Sequence, residues 1–196
     1  MTRAPQKRTV ETRRRLIAAA RQIIARRGYS AIRVEDVVVE AGVAKGTFFA
    51  HFADKDALME LLLGEEIDGL IDTMMRARAP RNAAEVTVLL MPLCDFIISE
   101  RYVFDLILRH SGAAAREEIG PIARTFLRQV DAFGQWFASG TFRRDISPAL
   151  LAEGVQAFAT QAMALHFCAL HGAQPLRSRL ETYLKAWLEP PHKSAR

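Results

Sequence analysis

This sequence predicts an all-α protein, and three observations carry that expectation. Apolar residues recur three and four positions apart along most of the chain. No run of Val, Ile, Thr and aromatic residues alternates for five positions between turn signals, with only Val37 to Val39 ambiguous. Gly, Pro and Asn cluster between the periodic segments and mark them off as loops. Of 196 residues, 50% are hydrophobic and 25% charged, which supplies a packed core and excludes bulk disorder.

The expected helices follow in order. Residues 9–27 form the first, with Thr9 as N-cap, a stripe of Leu16, Ile17, Ala20, Ile23 and Ile24, and Gly28 as the stop. A short helix covers 34–41 and ends at Gly42; another covers 44–52. Asp54 caps a long helix from Lys55 to Arg78, closed by Pro80. Then come 83–99 with Pro92 inside, 101–110, 116–139 with Pro121 in its first turns, 148–171 capped by Ser147, and 176–188 after Pro175. There is no internal repeat.

Charge is unevenly placed. The first 55 residues hold twelve Lys/Arg against five Asp/Glu, whereas the whole chain carries only +5. A basic first quarter on a slightly acidic remainder suggests a polyanion-binding head on a body with another task. Cys94 and Cys168 cannot build a disulfide framework and read as buried hydrophobes in a reducing compartment, so a cytoplasmic location is expected. Residues 1–15 are polar and basic, without the apolar stretch of a secretory signal. Residues 154–176 lack Asp, Glu, Lys and Arg, but they are alanine-rich and carry three Gln and two His, so a buried helix is expected and no membrane span.

Three short helices at the basic end suggest a helix-turn-helix. Val37 and Val38 turn the first helix of the pair into the core, and small Ala41 lets two helices cross closely. Gly42 suits a left-handed turn, Val43 plugs the corner, and the second helix leads with Lys45, Gly46 and Thr47. Of Phe48, Phe49 and Phe52, at least two belong to the core. In such a motif the start of the second helix enters the major groove.

The stretch from Leu16 to Leu58 resembles the DNA-binding head of TetR/AcrR-type transcriptional regulators. The resemblance is carried by Leu16 to Ala20, Arg27 to Tyr29, Val34 to Val37, Ala41 to Val43, Lys45 to Thr47, His51-Phe52 and Lys55 to Leu58. Gly140 to Ile146 weakly echoes the turn before the last long helices of these proteins. The chain departs from the family pattern at Arg33, where Thr is usual, at Ala44, where Ser is usual, and at Phe49, where Tyr is usual. Each change removes a side-chain oxygen, and the first two remove helix caps typically worth about 1 kcal/mol. The resemblance implies a helix-turn-helix DNA-binding domain at 1–55 and a ligand-binding and dimerisation domain at 56–196. It implies DNA contacts at Arg33, Ala44, Lys45, Gly46, Thr47, Phe49, His51 and Lys55. Lys45 suits guanine O6 and N7, and Thr47 a thymine methyl; His51 and Lys55 are expected at phosphates, with Arg33 and Arg14 as weaker phosphate partners.

In the body, Phe96, Phe104, Phe133, Trp136, Phe137, Met163, His166 and Phe167 are expected to line an effector pocket for a lipophilic or aromatic small molecule. No metal or cofactor is expected: His166 and His171 do not share a helix face, and no Cys or carboxylate stands at ligand spacing. No nucleophile–base pairing or phosphate loop points to an enzyme. The uncharged helix 148–171 must be covered on every side, including the small-residue face of Ala157, Gln161, Ala164 and Cys168. A second copy of the chain is the expected cover, together with the stripe Leu180, Tyr183, Leu184 and Trp187. The function expected is a homodimeric regulator, a repressor on the family's pattern, binding a near-palindromic double-stranded operator and released by its effector. The alternative is a helical interaction module or small-molecule-binding protein without sequence-specific DNA binding.

Overall fold

A computed structural model describes residues 4–111, 119–139, 141–170 and 173–189. Within them the chain is helical: α1 (Ala4–Arg27), α2 (Val34–Ala41), α3 (Lys45–Phe49), α4 (Lys55–Arg76), α5 (Ala83–Ile97), α6 (Arg101–His110), α7 (Pro121–Ser139), α8 (Pro148–His166) and α9 (Leu176–Leu188). No strand occurs among the described residues.

Helices α1 to α3 form a small head. Leu16, Ile23, Val37 and Phe48 are completely buried in it, and α4 leads out of it into the body. In the body α7 packs on both α4 and α8, while α9 packs on α5 and α8. Asp54, Asn82 and Ser147 cap α4, α5 and α8 by accepting from the backbone N–H groups of Ala57, Glu85 and Leu150.

Most boundaries fall within two residues of expectation, and the departures have local causes. Thr9 is not an N-cap: α1 begins by Ala4, because Pro5 fits a first turn whose N–H groups need no intrahelical acceptor. The third helix is only Lys45–Phe49, since Ala44 has no side-chain oxygen to cap it and its last residues run into a turn at Ala50 and His51. Helix α4 stops at Arg76, with Ala77 already extended (ψ 164°), before Pro80 is reached. Helix α8 ends a turn early, at His166. Phe167 turns aside and its ring packs against Phe104, centroids 5.3 Å apart, so a tertiary contact ends a helix that no Gly or Pro stops there. Helix α7 does not run from Arg116 through Pro121 as expected: Ile119 and Gly120 are not helical and Pro121, which has no N–H to place, opens the helix. Arg116 itself, the turn residue Gly140 and the helix end at His171 lie outside the described residues.

Candidate nucleic-acid interface and body cavity

The interface begins with the turn between α2 and α3. Gly42 sits at φ +62°, a left-handed conformation that L side chains rarely adopt, and Val43 donates its N–H back to Val38. The Arg15 guanidinium donates to the carbonyls of Ala41 (2.5 Å) and Gly42 (3.1 Å), so a cation caps the negative end of α2 and ties it to α1. Arg13 donates to the His51 carbonyl (2.8 Å) and lies over the Phe52 ring, which fixes the other end of α3. Phe48 and Phe52 are buried, and Phe49 is 49% exposed. Helix α3 is thereby anchored by one side and turned outward by the other.

That outward side carries Ala44, Lys45, Gly46 and Phe49, all exposed, with Thr47 half-buried beside them. Nothing lies within 4 Å of where a Cβ on Gly46 would sit, so the backbone there is open to close approach. Arg33 at the start of α2 and Arg14 on α1 are exposed and make no ion pair among the described residues. Neither Arg33 nor Ala44 makes a side-chain cap. Much of the remaining basic charge is occupied: Arg21 pairs with Glu65, Arg26 with Glu40 and Arg27 with Asp36. Lys45 itself meets Glu35 of α2 at 2.6 Å, and its hydrogen bond holds the Glu35 carboxyl below the usual carboxylate range. Ten residues separate the partners, so helical spacing gave no sign of this pair.

Lys55 is placed differently from the other expected DNA contacts. Its ammonium lies 4.5 Å from the centre of the Tyr102 ring, at the junction of head and body. Helix α6 and the residue just ahead of it supply part of that junction. Asp56 takes a hydrogen bond from the Tyr102 hydroxyl and an ion pair from Arg109 at 3.0 Å, while burial first and Asp56 second push the Tyr102 hydroxyl up to about 12. Glu100, just ahead of α6, accepts from the backbone N–H groups of Tyr29 (2.6 Å) and Ser30 (2.9 Å). Burial works to raise the Glu100 pKa, but these hydrogen bonds outweigh it and hold the carboxyl below its ordinary value. Gly28, at φ +83°, makes the approach possible: a Cβ there would stand 2.6 Å from Glu100 Oε1. Phe96 joins the same junction, edge-on to Tyr29.

Between α5, α6, α7 and α8 lies a narrow cavity of about 30 Å³, space for one or two waters. Phe104, Phe133 and Met163 line it, as do Leu90, Leu93, Ile97, Ile107 and Val155. Of the other residues expected at a pocket, Trp136 stacks on Phe133 and Phe137 packs edge-on against Phe142. His166 and Phe167 contact each other at the end of α8, with Arg101 over the Phe167 ring. The sequence reading missed the wall's polar members, Gln129, Gln156 and Thr160. A glutamine recurring in an uncharged helix was the available signal, but its partner on α7 could not be inferred from spacing. Cys94 is also in the wall, and burial pushes its thiol up to about 12, which leaves it un-ionised at neutral pH.

On the outside of the body, Ala157 and Gln161 are exposed and Ala164 and Cys168 half-buried, along the small-residue face of α8 and its end. Phe158 contacts Tyr183 and Trp187 of α9, and the Trp187 indole donates to the Leu151 carbonyl. No helix among the described residues is long and apolar enough to cross a membrane.

Residues 16–62 match the model of the bacterial regulatory proteins of the tetR family. Over 132 residues the chain is 30% identical to an uncharacterized HTH-type transcriptional regulator of Haemophilus influenzae, a match covering 65% of this chain and 64% of that protein. Over 121 residues it is 27% identical to a fatty acid metabolism regulator protein of Bacillus subtilis, covering 59% and 62%. The chain thus spans less than two thirds of the length of these relatives. Among solved structures it is similar to Thermus thermophilus FadR, a TetR-family transcriptional repressor crystallised with lauroyl-CoA. There the TM-score is 0.65 at 19% identity, covering 89% of this chain and 92% of the other.

Proposed function

We propose that this chain, whose residues 16–62 match the model of the tetR family of bacterial regulatory proteins, is a ligand-responsive transcriptional regulator of that family that binds double-stranded operator DNA as a homodimer in the cytoplasm. The observation that carries the reading is the exposed start of α3. Lys45, Gly46 and Thr47 face outward on a helix held from behind by Phe48, Phe52, Arg13 and Arg15. Lys45 donates to base edges or exchanges Glu35 for guanine, Thr47 offers a methyl and a hydroxyl, and Phe49 packs on sugar or a thymine methyl. Arg33, Arg14 and His51 serve phosphates and set register. Lys55 acts by holding head to body through Tyr102 rather than by reading DNA.

Dimerisation uses the outer face of α8 with α9, which places two heads on a near-palindromic site about a two-fold axis. The effector is lipophilic and enters the cavity between α5 and α8; Thermus thermophilus FadR, with its bound lauroyl-CoA, offers a precedent for such a ligand. A cavity of about 30 Å³ is too small for any such molecule. Entry therefore displaces wall residues, among them Phe104, Ile107 and Leu108 of α6, and the same helix holds the head through Glu100 and Tyr102. The ligand acts by its unequal affinity for the two head arrangements, and for a repressor the loss of operator affinity relieves repression.

A gel shift with duplex DNA from upstream of the protein's own gene tests the reading. A sequence-selective shift that weakens steeply with salt is expected. No shift at low salt with folded protein contradicts it, and binding to acidic polymers without sequence preference favours a helical interaction module.

A further inference from the structure

Lining the cavity are side chains from four helices, and none of them carries a charge. Its polar surface is concentrated where α7 meets α8. There the Gln156 amide donates to the Phe126 carbonyl (2.6 Å) and to Gln129 Oε1 (2.9 Å), which uses both of its hydrogens. What remains is one acceptor, Gln156 Oε1, and one donor group, the Gln129 amide nitrogen, which makes no hydrogen bond among the described residues although Gln129 is only 5% exposed. Thr160 adds a hydroxyl on the same wall.

We infer that the effector is an uncharged amphiphile, an aliphatic chain bearing an ester, ketone, amide or alcohol oxygen, and that Gln129 and Gln156 read this oxygen while the ionised carboxylic acid of the same chain is rejected. The inference rests on the regulator reading for its consequence, but not for its chemistry. A carbonyl accepts from the Gln129 NH2; a hydroxyl accepts there and donates to Gln156 Oε1. A carboxylate entering the same space leaves its hydration shell and meets no cation, because no Lys, Arg or His among the described residues is in the wall. Cys94 contributes only shape, since its thiol stays protonated. Gln156 is held in place by two bonds before any ligand arrives, so the polar end is preorganised while the apolar part of the cavity opens.

Calorimetric titration of the full chain with methyl octanoate, 1-octanol and octanoate at pH 8 tests this. The ester and the alcohol are expected to bind at least about tenfold more tightly than the carboxylate, as one unpaired buried charge requires. In Gln129→Glu the donor becomes an acceptor, so the ester loses at least about tenfold while the alcohol, which can donate, loses less. Gln129→Leu, with thermal unfolding checked in parallel, separates lost hydrogen bonding from lost packing: both neutral probes weaken if the amide reads the oxygen. Octanoate binding as tightly as the ester overturns the inference, and so do unchanged affinities in Gln129→Glu or binding of none of the three probes. A gel shift on the same preparations is read separately, so operator binding that persists without probe binding removes this inference and leaves the DNA reading intact.

Discussion

Head and body place their polar chemistry in opposite ways. The head turns Lys45, Thr47 and Phe49 outward on a helix of five residues and spends Phe48, Phe52 and two arginines on holding that helix still. The body folds Gln129, Gln156 and Thr160 inward, around a space of only about 30 Å³. A duplex can meet the first site as it stands. A ligand fits the second only by parting helices, and α5 and α6 both touch the cavity and the junction with the head. Rigid presentation at one end and a yielding cavity at the other are what a DNA-binding switch requires, because the cavity must have two arrangements and the reading face only one.

The sharpest way to break this contrast is to unseat α3. Phe48→Ala removes a completely buried ring and should cost about 3–5 kcal/mol, seen in chemical denaturation, with loss of DNA binding. If the cavity is a separate structure, a titration of the variant with methyl octanoate should change little. Next in size is the reading face itself. Lys45→Ala and Thr47→Ala should each weaken operator binding by about 1–3 kcal/mol while helicity and thermal stability stay as they are. Unchanged affinity in both means that DNA meets another surface.

The link between the two regions is tested by Glu100→Gln. Removing the charge that receives two backbone N–H groups should lower stability by about 1–3 kcal/mol and blunt the effect of ligand on DNA binding. The pH dependence has a definite sign. The folded carboxyl titrates below its ordinary value, so its contribution is complete above the unfolded pKa and disappears as pH falls through the lower folded one. The difference between wild type and Glu100→Gln should hold constant from pH 8 to pH 6 and shrink only below about pH 4.5, when followed by urea midpoints. The smallest effect is expected from Glu35→Gln, which frees Lys45 and removes an exposed negative charge from the reading face. Operator affinity should rise by a small factor in anisotropy measurements, and a fall would show that Glu35 positions Lys45 rather than competing with DNA for it.

How much of this was legible in the residues differs by region for a physical reason. The head is set by local chemistry: Gly28 and Gly42 at positive φ, Asp54 as a cap, and Val37 and Phe48 at helical spacing all act within a few residues of themselves. The same holds for the α6 and α9 limits. The body depends on long-range partners. Nothing near Glu100 in sequence announces Tyr29, and nothing near Gln156 announces Gln129. An aromatic residue at core spacing looks alike whether it faces a cavity, as Phe133 does, or a ring in the connection after its own helix, as Phe137 does. Helix ends set by tertiary contact, such as that of α8 at His166, are invisible for the same cause.

Whether the start of α3 meets base pairs is read most directly by hydroxyl-radical and dimethyl sulfate footprinting on an operator fragment. Two protected stretches, centred one helical turn or a whole number of turns apart, with guanine N7 shielded in the major groove, are the expected result. In Lys45→Ala the guanine shielding should vanish first while backbone protection persists. Protection that is uniform along the duplex, or identical in wild type and Lys45→Ala, would contradict the assignment of α3 as the reading element.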